Sequence, residues 1–469
     1  MAKPDSSFEL HRDNLSDTLP LDDLPKLELQ DGQTPSSLLR KVDLRLMPIM
    51  LACYTLQFID KGILNYANIM GLQQDTGLHG NQFSWLATAF FMVFALAQLP
   101  GIYILSRVPV NIYLGCGMLL CTIGVACTAA CNSYGSLVAV RVILAVGEST
   151  MSPSLSLITM KWYTKGEASR RYGVWYSGLG LGQIIGGLIS FGFQHVHRGS
   201  FGSWRGMFLV CGLLNLLVTI WTYFCLTDNP SHARWLAPAE QRFFTTRLLH
   251  ANKYNVSTRL FSLRQVRSTL TSDLAIWLAF LLAASCSIQS GAITTFSATL
   301  ITGFGYTPKQ AALLNMPSGA AVATLCLVVP AVTGACLMSF TNVKGALLAG
   351  IWLINTVTPI LIVAISWTQA NCAGHTKRVT YNAMIMIAFG IGNICGPQTF
   401  RAKDAPKYWP ARVTMVAATA VCGLLTVLLL GLYMWRNETR KPSDEDEKTV
   451  YEDIDERTDF DIAGFRYVY

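Results

Sequence analysis

Charge is scarce in this chain. Only 14% of its residues are charged, against about 25% in an ordinary soluble domain. The shortage is concentrated in long apolar runs, and 52% of the chain is hydrophobic. Several runs exceed the roughly 20 residues that a helix needs to cross a bilayer. Also missing is any Cys-x-x-Cys pair. The 13 cysteines lie mostly inside apolar runs, such as Cys116, Cys121, Cys127, Cys211, Cys286 and Cys422. They read as small apolar packers, so neither a disulfide framework nor a zinc site is expected. The chain has no Walker phosphate loop, which disfavours ATP-driven work. It has no metal-spaced histidine cluster and no Ser/His/Asp constellation, so no metal, no cofactor and no enzymatic activity are expected. The formal charge of +8 forms no basic face with interleaved aromatics, so nucleic acid is not an expected partner. Residues 1–39 are polar and acidic with no apolar core. They predict a disordered cytoplasmic tail rather than a cleavable signal.

What is present is a series of oily segments. Candidate spans fall at about 46–69, 83–105, 110–130, 135–158, 172–194, 206–227, 274–298, 309–340, 344–368, 378–399 and 412–435. In hydrocarbon every backbone N–H and C=O must be paired within its own segment or within a closed barrel. These runs are too long and too uniformly apolar for barrel strands, which alternate. The expectation is therefore an all-α membrane protein with the lipid bilayer as its main partner.

Orientation follows from the basic loops. Arg40, Lys41 and Arg45 precede the first span, Arg107 follows the second, and Lys161, Lys165, Arg170 and Arg171 follow the fourth. The segment 228–272 adds Arg234, Arg242, Arg247, Lys253, Arg259, Arg264 and Arg267. All fall on one side, so both termini are placed in the cytoplasm. The domain plan is a tail at 1–39, a six-helix bundle at 40–227, a cytoplasmic linker at 228–272, a second bundle at 273–435 and an acidic tail at 436–469 that contains Phe465-Arg466-Tyr467. Lys377 with Arg378, and later Arg436, Arg440 and Lys441, also call for the cytoplasm. That asks for twelve crossings where length is supplied for eleven. The 32 residues of 309–340 make one span, because two with a turn need at least about 36. A shortening near 324–327 is inferred.

At this point the motifs carry a resemblance. The first span reads Phe58-Ile59-Asp60-Lys61 followed by Leu64-Asn65. The fourth runs from Arg141 to Gly147-Glu148, and Trp162-Tyr163 is followed by Glu167 and Arg170. Trp204-Arg205 and Asp228-Asn229-Pro230 bracket the sixth. Most specific are Ala373-Gly374-His375-Thr376-Lys377-Arg378 and Gly392-Asn393-Ile394-Cys395-Gly396-Pro397-Gln398-Thr399-Phe400. This pattern resembles the major facilitator superfamily, and within it the fungal allantoate permease group of the anion:cation symporter branch. The likeness covers roughly residues 40–469. The loop after the second span, Leu105 to Pro109, keeps only a remnant of the superfamily's usual motif there, and Ala145 stands where the fourth-span motif usually has glycine. The resemblance implies a two-bundle helical transporter that rocks about a midplane site. It implies proton-coupled uptake of a small organic anion (a vitamin, ureide or related carboxylate) across the fungal plasma membrane, by a monomer. A secondary-metabolite exporter of the same fold and a non-transporting remnant are the alternatives.

Charge at membrane depth costs at least about 2.5 kcal/mol by insertion scales, so each instance calls for a reason. Arg141 and Glu148 are seven residues apart, two helical turns, and share a face. Asp60 and Lys61 are adjacent and point apart. Lys61 and Arg141 are the candidate anion anchors, and the resemblance places basic groups at matching points of organic-anion relatives. Glu148 is the candidate proton-coupling carboxylate, loading a proton on one side and releasing it on the other. The competing reading ties Arg141 and Glu148 into helix packing or a gating network. Asp60 is a second coupling group, a local partner of Lys61 or a water-facing end residue. Gln289 and Asn393 are further cavity candidates, although polar residues also stitch transmembrane helices together. The glycines at 178, 180, 182, 186 and 187 permit close helix approach. His195 and His197 are either an external pH sensor or a hydrated loop pair.

Overall fold

The computed structural model describes residues 35–196, 202–251, 263–319, 343–357, 375–405 and 408–439, with short pieces at 333, 335–339, 341, 367–368, 371–372 and 467. The inferred shortening at 324–327, His197 and most of both tails lie outside the described residues.

The described chain is helical throughout. The first half contains α1 (Pro35–Ile69), α2 (Gln82–Arg107), α3 (Val110–Thr128), α4 (Tyr134–Ser149), α5 (Met151–Trp162), α6 (Lys165–Tyr176), α7 (Gly178–Phe193) and α8 (Ser203–Cys225). The linker folds into α9 (Pro238–Ala251) and α10 (Leu263–Ser272). The second half contains α11 (Leu274–Gly303), α12 (Pro308–Leu314), α13 (Lys344–Ile354), α14 (His375–Gln398) and α15 (Trp409–Thr439). Seven stretches among the described residues are long and apolar enough to cross a membrane: 36–69, 110–128, 134–162, 170–193, 203–225, 274–303 and 409–439. Shorter apolar helices cover 82–98, 344–354 and 383–398.

Local chemistry sets several boundaries. Ser133 opens α4 and Thr164 opens α6, each with a reciprocal capping box. Thr307 does the same for α12, with Pro308 at the first helical position. Pro109 stops α2 from running into α3. The expected span at 135–158 is divided at Thr150 into α4 and α5. Pro153 lies just beyond and cannot donate to the carbonyl of Ser149. Helix α1 begins eleven residues before the expected span, because Leu38, Val42 and Leu46 are buried and continue its apolar stripe on the linker side.

Close helix pairs depend on glycine. A Cβ at Gly147 of α4 would lie 2.6 Å from the carbonyl oxygen of Gly117 on α3. At Gly396 of α14 it would lie 2.3 Å from the carbonyl oxygen of Ile288 on α11. Only a residue without a side chain lets these backbones touch.

Ion pairs fasten the linker side. Lys41 of α1 lies 2.8 Å from Glu240 of α9, Arg171 is bidentate to Asp43 at 2.7 Å, and Arg247 of α9 pairs with Glu167. Burial alone would raise the Glu167 carboxyl, but donors from Arg247 and the Thr164 N–H outweigh it and hold the group below its ordinary range. Trp162 stacks on Trp235 with centroids 5.6 Å apart and meets Phe244 of α9 edge-on at 6.2 Å, so α9 is bound to the first half. In the second half Asp273 caps α11 and receives Lys377 of α14 and Arg436 of α15, each at 2.8 Å, and the Tyr381 hydroxyl at 2.6 Å. One carboxylate thus joins the linker-side ends of three helices. Burial would raise it, but Lys377 and Arg436 dominate and hold it below 3.8.

Candidate functional site

The first half brings four of the sequence candidates together. Asp60 and Lys61 arrive on α1, Arg141 and Glu148 on α4. Asp60 and Glu148 each lie within electrostatic reach of both Lys61 and Arg141. Because neighbours on a helix diverge by about 100°, Asp60 and Lys61 have different partners. Asp60 turns inward to α8, where Asn215 donates to both carboxylate oxygens at 2.9 and 3.1 Å. Lys61 turns toward α4, and its Nζ lies 3.0 Å from Glu148 Oε2. This is an ion pair by distance rather than an aligned hydrogen bond, since neither Glu148 oxygen makes a directional one. The Glu148 side chain is 0% exposed and that of Lys61 is 16% exposed, so the lysine keeps some access to solvent while the carboxylate has none.

Two other side chains frame the pair. The Gln57 amide donates to the Glu148 carbonyl at 3.3 Å, which ties α1 to α4 beside the charges. The Phe94 ring lies 5.3 Å from Lys61 Nζ and meets Phe389 of the second half edge-on at 6.0 Å. Lys61 therefore sits where the halves meet. Arg141 is buried, and its Nε and Nη2 have no hydrogen-bond partner among the described residues. Leaving guanidinium donors unpaired at depth is costly, so this group is suited to a guest that accepts hydrogen bonds.

Gln289 and Asn393 lie in the other half, on α11 and α14. Gln289 is buried with both amide atoms unpartnered among the described residues. Asn393 donates to the Phe389 carbonyl at 2.8 Å, and its backbone packs against Gly291. His195 is exposed, with its Nδ1 2.9 Å from the Phe191 carbonyl at the end of α7. Sequence reasoning missed Asn215, Gln57 and Phe94. Asn215 left a signal, as a lone amide inside an otherwise apolar run.

A small pocket of about 20 Å³, room for about one water molecule, lies between the halves beside this cluster. Gly62, next in sequence to Lys61, is part of its wall, with Asn65, Tyr66, Gln183, Ser297, Asn315 and Asn355. None of the lining residues is charged. Away from the linker the halves are sealed by neutral hydrogen bonds. Asn65 donates to Ser297 at 2.8 Å, Asn68 to Thr299 at 3.0 Å and Gln398 to Thr88 at 2.7 Å. Asn315 bridges Tyr66 and Ser297 at 3.1 and 3.0 Å and receives Gln183 at 3.3 Å.

Paired helical halves, buried charges of both signs and a pocket between the halves are the parts of a solute transporter. The Major Facilitator Superfamily profile matches residues 50–428. The chain belongs to the Major Facilitator Superfamily. It is a multi-pass membrane protein and a secondary transporter, not an enzyme. Its relatives include the Thiamine pathway transporter THI73 of Saccharomyces cerevisiae, 34% identical over 92% of this chain and 86% of that one. The Allantoate permease of the same yeast is 29% identical over 91% of this chain and 85% of that one. Solved structures with this superfamily fold include a bacterial homolog of the human lysosomal transporter Spinster, with TM-score 0.60 and 15% identity over 85% of this chain and 97% of that one. The xylose transporter XylE from E. coli gives TM-score 0.62 and 12% identity over 80% of this chain and 94% of that one.

Proposed function

We propose that this transporter carries a small organic anion together with a proton, and that Lys61 changes partners during the cycle. The observation that carries this reading is the Lys61–Glu148 ion pair at the junction of the halves, with the carboxylate fully buried and the lysine partly open to solvent. With Glu148 ionised, Lys61 is neutralised and has little attraction for a guest. A proton on Glu148 removes that partner and leaves an ammonium facing the junction, where it can pair with a substrate carboxylate. Asp60 and Glu148 balance Lys61 and Arg141 when all are ionised. Loading one proton creates one excess positive charge, which one anion cancels. A site built this way avoids net charge at depth only when proton and anion travel together. Arg141, with two unpaired donors, is the second anion contact. Gln289 serves the uncharged part of the substrate from the opposite half, and Asp60, held by Asn215, keeps the charge balance.

The Allantoate permease relative supports the anion class. We place the protein in the plasma membrane with both termini in the cytoplasm, following the basic linker side. The seal then faces outward. The test is uptake into proteoliposomes, with labelled allantoate as first probe in a panel of small carboxylates and thiamine as a cationic control. One proton per anion drives about tenfold accumulation per pH unit, because each unit is about 1.4 kcal/mol. Glu148→Gln is expected to keep anion exchange while losing accumulation driven by a pH gradient. Undiminished accumulation in Glu148→Gln would remove the coupling assignment. Carriage of the cation but none of the carboxylates would remove the anion reading.

A further inference from the structure

On the side away from the linker an open hollow straddles the two halves. Gly80 and Asn81 of the first half and Arg401, Ala402 and Lys403 of the second line it. Hydrogen bonds join its walls. Asn81 begins α2 without capping it, and its Oδ1 instead accepts the Ala402 N–H at 3.0 Å. Three residues on, the Ser84 hydroxyl donates to the Phe400 carbonyl at 3.1 Å. Arg401 and Lys403 are exposed and make no ion pair among the described residues. The nearest acid in sequence, Asp404, is half-buried, and one of its carboxylate oxygens is buried without a partner among the described residues. Two exposed cations against one half-buried carboxylate leave this rim net positive. Outer loops of membrane proteins carry fewer Lys and Arg than cytoplasmic ones, so an exposed pair on the outer side is against the trend, and neither packing nor the cluster at depth accounts for it.

Phe94 of α2 stands beside Lys61, and Asn81 is 13 positions earlier at the start of the same helix. At 1.5 Å per residue the hollow lies about 20 Å outward of Lys61. Charge is screened over about 8 Å at physiological salt, and the side-chain bonds that seal the halves in between are neutral. The buried cluster therefore cannot draw an anion from outside while the halves are closed. Arg401 and Lys403, already at the surface, can do so. We propose that this hollow is an outer collecting site for the transported anion, where the two cations hold a carboxylate loosely on the line along which the halves part. When they part, the anion already stands at the rim of the opening. Fixed positive charge at the mouth of a cleft raises the local anion concentration and the rate of encounter. The inference rests on the organic-anion reading above and gives the substrate a first contact before Lys61 and Arg141.

The experiment is initial-rate uptake by intact cells expressing the full chain, where only the outer face meets the probe. The probe is labelled allantoate or, if the parent does not carry it, the best-carried carboxylate of the panel above. Arg401→Gln/Lys403→Gln is compared with the parent and with Lys309→Gln/Lys344→Gln, which removes the same charge from α12 and α13, outside the hollow. At about 0.1 M salt, where charge reaches about 10 Å, the first pair is expected to raise KM about threefold or more and to leave the maximal rate unchanged. At about 1 M salt, where the reach falls to about 3 Å, its KM should meet the parent's. The second pair and Arg401→Lys should follow the parent throughout. An unchanged KM at the lower salt would overturn the collecting site and leave the anion reading in place. An equal rise in Lys309→Gln/Lys344→Gln would assign the effect to net charge, and a rise that persists at 1 M would assign it to a disturbed seal; either overturns the proposal. A parent that carries thiamine and none of the carboxylates is the failure of the anion reading itself, and it is seen before any variant is made.

Discussion

The contact between α11 and α14 makes Gly396→Ala a demanding test of the fold. The added methyl would lie 2.3 Å from the Ile288 carbonyl oxygen and 2.7 Å from the Ala292 nitrogen. Both are backbone atoms of a helix and cannot swing aside. Ordinary contact begins at 3.4 Å, so the two helices must part by about 1 Å. One turn earlier Gly392 is as tight, 2.4 Å from the Ala284 carbonyl oxygen, so tilting about that point gives no relief. Overpacking of this kind costs about 1–3 kcal/mol, and alanine's better helix propensity returns up to about 1 kcal/mol. Relative to an exposed Gly→Ala change that receives the same propensity gain, a loss of about 1–3 kcal/mol remains. For a bundle the size of the second half, each kcal/mol is about 2–4 °C in Tm, so a fall of about 2–12 °C below that control is expected. The assay is thermal unfolding in detergent, followed by tryptophan fluorescence. Gly431→Ala is the control, because a Cβ there meets nothing within 4 Å. A Gly396→Ala protein as stable as that control would refute close backbone contact as the reason for glycine.

Three further outcomes follow from the charges and the seal. Asn215→Leu strips from the Asp60 carboxylate both hydrogen bonds that Asn215 donates to it and should cost about 1.5–3 kcal/mol for each. Adding Asp60→Asn should return part of that loss in the same unfolding assay. The Asp273 carboxyl is held below its ordinary 3.8, so its stabilisation is complete above that value and disappears as pH falls through the lower folded one. Asp273→Asn should therefore lower Tm near neutrality and flatten the parent's acid-side decline below about pH 4. Asn315→Leu removes bridges to Tyr66, Ser297 and Gln183. At about 1 kcal/mol each, their loss should favour opening of the seal by at least about tenfold. Faster maleimide labelling of a cysteine placed at Thr294 in the pocket wall, located by peptide mass, would register it. Labelling at the parent's rate would count against the seal.

The spanning helices were legible because each is a long apolar run, and the solvent for such a run admits few backbone solutions, whereas the polar α9 and α10 were hidden in the linker. The ends of the spans were less legible. The linker-side turns of α1 contain Arg40, Lys41 and Arg45, which reads as a basic flank, yet Leu38, Val42 and Leu46 bury one stripe of it. The divergence of Asp60 and Lys61 followed from helical geometry alone, and so did the common face of Arg141 and Glu148. Their partners did not. Asn215 is 155 positions from Asp60 and Asn315 is 249 from Tyr66. Nothing local in either stretch specifies the other, because the pairing is made by how helices stack. The Gly392-to-Gly396 motif was visible as a signature, but its physical reason, backbone contact with α11, needed coordinates. The question of eleven or twelve crossings turns on residues 320–332 and 358–366, which lie outside the described residues.

Among the described residues the side-chain hydrogen bonds that seal the halves come from amides and hydroxyls, none of them charged, and this bears on what can open the seal. Such groups keep their protonation across the physiological range and carry no ionic attraction for salt to screen. Water can replace each partner almost evenly, because a hydrogen bond lost to another residue is regained from solvent. These bonds are therefore indifferent to acidity and ionic strength in themselves. On the proposed mechanism, what opens them is the charge state of the cluster beside them.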